Sequence, residues 1–182
     1  AGKAQLHALL ASADAIIENY RPGVMTRLGF GWEALHERYP RLVMCSISGF
    51  GQTGPASMRP AMDTVAQALS GLMSITGVVE NEPHGHGANS ADVISGVHGA
   101  LGVVAALYSR DRDGQGRYVD IAMVDCNFSL LSHIVTRYTD SREHAPRGGA
   151  PHWHLLPCHS FSHTNLKSPC VEQVGTGTAP RP

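Results

Sequence analysis

The sequence has almost no net charge: 14 Lys and Arg stand against 15 Asp and Glu, which gives −1 at pH 7. That balance supplies no electrostatic reason to expect nucleic acid or an anionic membrane as a partner. No uninterrupted apolar run approaches the roughly 20 residues needed to span a bilayer. Cysteine is scarce, and Cys45, Cys126, Cys158 and Cys170 are too widely spaced to form a C-x-x-C pair. A disulfide framework is therefore not expected, and a reducing compartment is: the cytoplasm, or the mitochondrion in a eukaryote. The N-terminus, AGKAQLHALL, has no initiator Met and no signal-peptide pattern, so the chain reads as a segment of a longer one.

What is present suits a globular fold. Hydrophobic residues make up 42% and charged residues 16% of 182, enough to bury a core in one ordinary domain. Leu6, Leu9 and Leu10 recur at helical spacing within residues 2–13, and the short β-branched run at residues 15–19 then reads as a buried strand. Pro22-Gly23 breaks it. Residues 32–39 read as a helix closed by Pro40, and residues 42–48 (LVMCSIS) as a second strand. Helix followed by strand, twice, is the rhythm of a largely parallel α/β sheet with flanking helices. Further on, the pattern predicts a loop over 49–61, a helix over 62–75, a loop over 76–91, a helix over 92–109, a strand over 118–123 and a helix over 126–138. Beyond about residue 145, Pro, Gly, His and Thr accumulate without periodicity, and residues 146–182 read as an irregular or disordered tail.

Three groups of residues invite a chemical reading. Gly49-Phe50-Gly51-Gln52-Thr53-Gly54 matches G-x-G-x-x-G after a strand. A dinucleotide site, however, needs the motif to open directly into a helix and an acid about 20 residues on, and Pro55 with more loop intervenes. Asp92 opens a helix, where an acid is favoured either as a plain first-turn residue or as a carboxylate held ionised by the helix dipole and backbone N–H groups for nucleophilic work. Gly96, Gly99 and Gly102 weaken that helix by about 1 kcal/mol each, so another backbone or a ligand is expected to pack closely there. The tail's His152, His154, Cys158, His159, His163 and Cys170 are zinc-ligand types whose spacing fits no standard site, so no metal is assigned. Arg21, Arg27, Arg38 and Arg41 are scattered, as surface arginines usually are, while Phe30, Trp32 and Leu35 belong in the core.

Three stretches resemble the class III CoA-transferases, the formyl-CoA and carnitine CoA-transferase family: ADAIIENYRPGVMTRLGF from Ala13, CSISGFGQTGPASMRPAMDTVAQALSGLMSITG from Cys45, and GQGRYVDIAMVD from Gly114. Their order and spacing agree over residues 1–145. The resemblance implies a Rossmann-like sheet, here incomplete relative to the family fold, with residues 1–145 as the central part of the large domain. It implies that Asp92 is the nucleophilic aspartate, and that Asn19, Tyr20, Arg21, Arg27, Pro60, Ala61, Met62 and Asp63 contact coenzyme A. Arginine suits CoA phosphates, which a guanidinium grips bidentately. The implied chemistry passes through an acyl-aspartyl anhydride and an aspartyl-CoA thioester. Coenzyme A and acyl-CoA are then substrates, alongside a carboxylic acid, and no cofactor is tightly bound. Backbone N–H groups at Gly49 to Gly54 or at the helix start are the expected oxyanion donors. The full-length protein is expected to be a homodimer, and the chain by itself a truncated, weakly active piece.

Two other functions remain in view. An α-methylacyl-CoA racemase shares the family fold but needs a base on each face of the α-carbon. Where that enzyme has a His-Asp pair, this chain has Met62-Asp63. The other reading is a non-catalytic remnant that serves as a binding or assembly partner.

Overall fold

A computed structural model describes residues 2–147, and nearly all of the expected tail, with its histidines and cysteines, lies outside the described residues. The chain divides into two units. Of the described residues, the first holds those up to Leu72 together with His86–Ser132, and the second holds Met73–Gly85 with those from His133 onward.

The first unit is built on a three-stranded parallel sheet in the order β1-β2-β3. Strand β1 is Ala15–Glu18, β2 is Val43–Ser48 and β3 is Tyr118–Ala122, so each of the expected strands is found and all run the same way. The register runs from Ala15 opposite Val43 to Glu18 opposite Ser46, and from Met44 opposite Tyr118 to Ser48 opposite Ala122. Strand β2 lies between the others and is covered on both faces, which is why its first half, Val43-Met44-Cys45, is a continuous apolar run rather than an alternation. Leu42 and Met44 join Leu10, Met25, Phe30 and Leu35 in one cluster, against which Trp32 packs. Val43 and Cys45 face the other way, onto Val103 and Ala106.

The helices supply these two layers. Helix α1 (Gly2–Leu10) and α3 (Trp32–Arg38) give Leu10 and Leu35 to the first cluster. Between them lies α2 (Val24–Leu28), absent from the sequence reading because five residues are too few for helical periodicity to register. It ends at Gly29, whose left-handed backbone (φ 84°) lets the N–H groups of Gly29 and Phe30 reach back to the Thr26 and Met25 carbonyls. The predicted helix over 62–75 is broken at Gly71 (φ 89°) into α4 (Asp63–Leu69) and α5 (Leu72–Ile75). The predicted helix over 126–138 instead begins at once after β3, as α7 (Met123–Phe128). It then passes through a 3-10 turn into α8 (Ser132–Ser141). In the second unit, Arg137 pairs with Glu143 at 2.9 Å.

The longest helix, α6 (Ser90–Asp113), has 24 residues and is long and apolar enough by composition to cross a membrane. Here one face of it lies on the sheet instead. Two of its glycines set that approach: a Cβ on Gly99 would stand 3.2 Å from Ile47 Cδ1, and one on Gly102 only 2.6 Å from Val119 Cγ1. The close packing expected of the glycine series is therefore found at these positions, and the partner is the sheet. At its far end Arg110 pairs with Asp14 at 2.9 Å, tying the helix to the turn that leads into β1.

Candidate functional site

All three strands point their carboxyl ends the same way, which is where open α/β sheets place their ligand crevices. A groove of about 630 Å³ opens there. Asn19, Tyr20 and Arg21, leaving β1, form one side of its lining. Ser48 and Gly49 end β2, and Met123 begins α7. The loop after β2 adds Arg59, Pro60, Ala61 and Met62, and α6 adds Asp92, Ser95 and Gly96. The loop folds back tightly over the strand end, since a Cβ on Gly49 would come within 2.3 Å of Ala61 Cβ. The G-x-G-x-x-G run thus leads into turns, and the next helix begins only at Asp63.

Asp92 stands in the first turn of α6, exposed to the groove. The natural capping position, Asn89, makes no side-chain bond to the helix. A buried carboxylate from α4 does so instead: Asp63 Oδ1 accepts the N–H of Ala91 at 2.8 Å and that of Asp92 itself at 3.2 Å. Asp63 Oδ2 accepts Gln67 Nε2 at 2.5 Å. Gln67, also buried, donates to Ala88 O at 3.2 Å and accepts from the His86 N–H at 2.7 Å. A second chain of bonds runs beside it, from Asn127 Nδ2 to Ser70 Oγ at 2.7 Å and from Ser90 Oγ to Asn127 Oδ1 at 3.3 Å. The start of α6 is thereby bolted to α4 and α7 through satisfied buried polar groups, which fixes geometry well.

This arrangement changes the electrostatic reading of Asp92. The helix-start N–H groups of Ala91 and Asp92 are already engaged by Asp63, so the expectation that they hold Asp92 ionised fails. Desolvation, followed by the nearby Asp63 charge, raises the Asp92 carboxyl above its ordinary value. A more basic carboxylate is a better nucleophile once ionised. The expected oxyanion donors are also reduced. The helix-start pair is taken, and in the glycine loop the Gln52 N–H is held by Asp120, at 3.1 and 3.0 Å from its two carboxylate oxygens.

Asn19, Tyr20, Arg21, Pro60, Ala61, Met62 and Asp92 are brought together in one groove. Arg27 and Asp63 are not among its lining residues. Arg27 lies exposed on α2, near Gly23, and Asp63 is buried behind the groove as the cap of α6. Asn19 lines the groove, yet its amide is engaged, donating to Ile47 O at 2.6 Å and clasping the end of β2. Sequence reasoning missed Ser48, Arg59 and Ser95, whereas Gly96, flagged as a close-packing glycine, lines the groove. Arg59 lies over the Phe50 ring at 5.4 Å and adds a second guanidinium to Arg21, but no periodicity marks a loop cation. Cys45 is no rival nucleophile, because burial pushes its thiol up to about 11. Among the described residues no cluster of His, Cys, Asp or Glu could hold a metal.

The family model for CoA-transferase family III matches residues 1–165. The acetyl-CoA:oxalate CoA-transferase of Acetobacter aceti is 40% identical over 154 residues, which cover 84% of this chain and 40% of that protein. The human succinyl-CoA:glutarate CoA-transferase is 36% identical over 153 residues, or 84% of this chain and 35% of that protein. A solved CaiB/BaiF family protein from Brucella suis superposes with a TM-score of 0.83 at 34% identity, covering 88% of this chain and 43% of its own. The chain thus spans about two fifths of the length of the proteins it matches.

Proposed function

The chain belongs to CoA-transferase family III, and on that premise we propose that its groove receives an acyl-CoA whose thioester is attacked by Asp92. The carboxylate adds to the thioester carbonyl, the C–S bond breaks, and CoA leaves as the thiolate. Asp92 now carries a mixed anhydride. The thiolate then attacks the aspartyl carbonyl of that anhydride and expels the first acid as its carboxylate. The resulting aspartyl-CoA thioester is attacked by the acceptor carboxylate, and the same steps in reverse release the new acyl-CoA. Covalent catalysis of this kind divides one difficult exchange into easier ones.

The observation that carries this reading is the convergence of Asp92 and six residues of the resembling CoA-contact segments on one groove at the carboxyl edge of the sheet. Arg21 and Arg59, both lining it, supply cationic groups suited to CoA phosphates or to a substrate carboxylate. In this reading Arg27 supports the site from outside and Asp63 from behind, Asn19 clasps the end of β2 from within the groove lining, and the acids exchanged are short dicarboxylates, as the names of the relatives suggest. A racemase would need an imidazole where Met62 lines the groove. Residues 1–145 act as the central part of a larger domain. The full-length protein works as a homodimer, for which the exposed apolar stripe Val93, Val97, Leu101, Val104 and Tyr108 on α6 offers a surface.

The test is to incubate the chain with succinyl-CoA or acetyl-CoA and to map covalent mass by peptide analysis. An acyl or CoA adduct on the peptide containing Asp92, lost in Asp92→Asn, is the expected result. An adduct elsewhere, or an unchanged adduct in the Asn variant, overturns the assignment.

A further inference from the structure

The mechanism needs a donor for the oxygen that gains charge when Asp92 attacks, and the expected backbone donors at the start of α6 and at Gln52 are engaged by Asp63 and Asp120. One side chain in the groove answers that need. Ser48, the last residue of β2, is only 5% exposed and lines the same groove as Asp92. Its Oγ has no hydrogen-bond partner among the described residues. A buried hydroxyl without a partner is uncommon and unfavourable, and it calls for a ligand or a functional reason. Two other polar residues of the groove lining do not share this condition: Ser95 donates its hydroxyl to Ala91 O at 2.5 Å, and Asn19 donates its amide to Ile47 O.

We propose that Ser48 donates its hydroxyl hydrogen bond to the carbonyl oxygen of the bound thioester, and to the oxyanion which that oxygen becomes. The proposal rests on the reading of Asp92 as nucleophile. As Asp92 Oδ bonds to the carbonyl carbon, the C=O electron pair moves onto oxygen. It returns when the C–S bond breaks. The Ser48 proton stays on Oγ throughout, so no acid, base or further reactant is required. A donor shielded from bulk water meets little competition and needs no reorganisation as charge develops, the condition under which such bonds contribute most to rate. Gly96 stands one helical turn beyond Asp92, and a Cβ there would meet nothing within 4 Å. It therefore leaves room along α6 for the acyl group between the nucleophile and the strand end.

Two properties separate this role from a structural one. A serine whose hydroxyl is unpartnered should lose nothing in stability on becoming alanine, so Ser48→Ala should melt at an unchanged or higher Tm. In single-turnover reactions its rate of adduct formation at Asp92 should nonetheless fall about 100-fold, the effect of removing one such donor, and Ser48→Thr should restore much of it. The direct test places succinyl-CoA carrying a 13C label at the thioester carbonyl on the unreactive Asp92→Asn chain, with and without Ser48→Ala. Isotope-edited infrared spectroscopy then reads the bound carbonyl. A band lowered in frequency with Ser48, returned towards the free value in the Ala variant and lowered again in the Thr variant is the expected result. Bound succinyl-CoA with the same band in all three overturns the role of Ser48 while leaving the site reading intact. Absence of saturable binding overturns the reading of the groove, and the role of Ser48 with it.

Discussion

Asp63 and Asp92 show how two carboxylates of one type acquire opposite tasks. Asp63 accepts three hydrogen bonds in a buried place, while Asp92 keeps its side chain in the groove. Asp63→Ala would leave the N–H groups of Ala91 and Asp92 without their acceptor, so a loss of about 1–3 kcal/mol in denaturant unfolding is expected, together with loss of adduct formation. Asp63→Asn keeps an acceptor but removes the charge, so it should lower the pH at which Asp92 becomes reactive. In the parent chain, adduct formation should rise with pH through a midpoint above that of an ordinary aspartate, because the attacking form is the anion and its formation is disfavoured. The linkage to stability has the opposite sense. A carboxyl raised on folding contributes stability at low pH that disappears as pH climbs through its folded value. Asp92→Asn should therefore be slightly more stable than the parent at pH 7, by less than about 0.5 kcal/mol because Asp92 is exposed, and should lose that advantage in acid. Unfolding curves at the two pH values check this. The sequence pointed to Asp92 through its helix-start position and its resemblance. It could not reveal that Asp63 caps that helix, since such a contact spans 29 residues and depends on how α4 meets α6.

Strands were the most legible elements: β1, β2 and β3 each announced themselves by a short β-branched or apolar run between breakers, and parallel order followed from the helices between them. Helix boundaries were harder. The apolar spacing of residues 62–75 continues past Gly71, but its positive φ interrupts the helix, and a 3-10 turn divides the run after β3. The glycines of α6 were read correctly as a packing signal, yet their division of labour emerges only from the tertiary contacts. Gly102 faces Val119 on the sheet, and Gly96 faces the open groove. Substituting each by alanine separates these tasks. Gly102→Ala forces a methyl against a stiff β-branched side chain, so it should destabilise the chain by about 1–3 kcal/mol despite its better helix propensity. Gly96→Ala should gain up to about 1 kcal/mol from propensity while slowing adduct formation by narrowing the groove. Thermal melts paired with adduct kinetics distinguish the two.

At the scale of the whole molecule, the groove is a pre-positioned set of groups on a rigid sheet edge, but Asp92 lies exposed to solvent within it. Transferases that form reactive acyl intermediates depend on excluding water, which otherwise hydrolyses them. The 182-residue chain should accordingly react with acyl-CoA once at Asp92 and then lose the adduct to water. Slow hydrolysis of acyl-CoA, with little transfer to oxalate or glutarate, is the outcome expected when thiol release and acyl-acid exchange are followed in parallel. Transfer that outpaces hydrolysis would show that the groove is better sealed than its exposure indicates. The Asp63 contact to the start of α6 has a wider consequence. In the proposed mechanism the raised basicity of Asp92 is absent from an unfolded chain, where that residue is an ordinary acid in water. It arises only when two distant segments dock, so that completing the fold is what would arm the nucleophile.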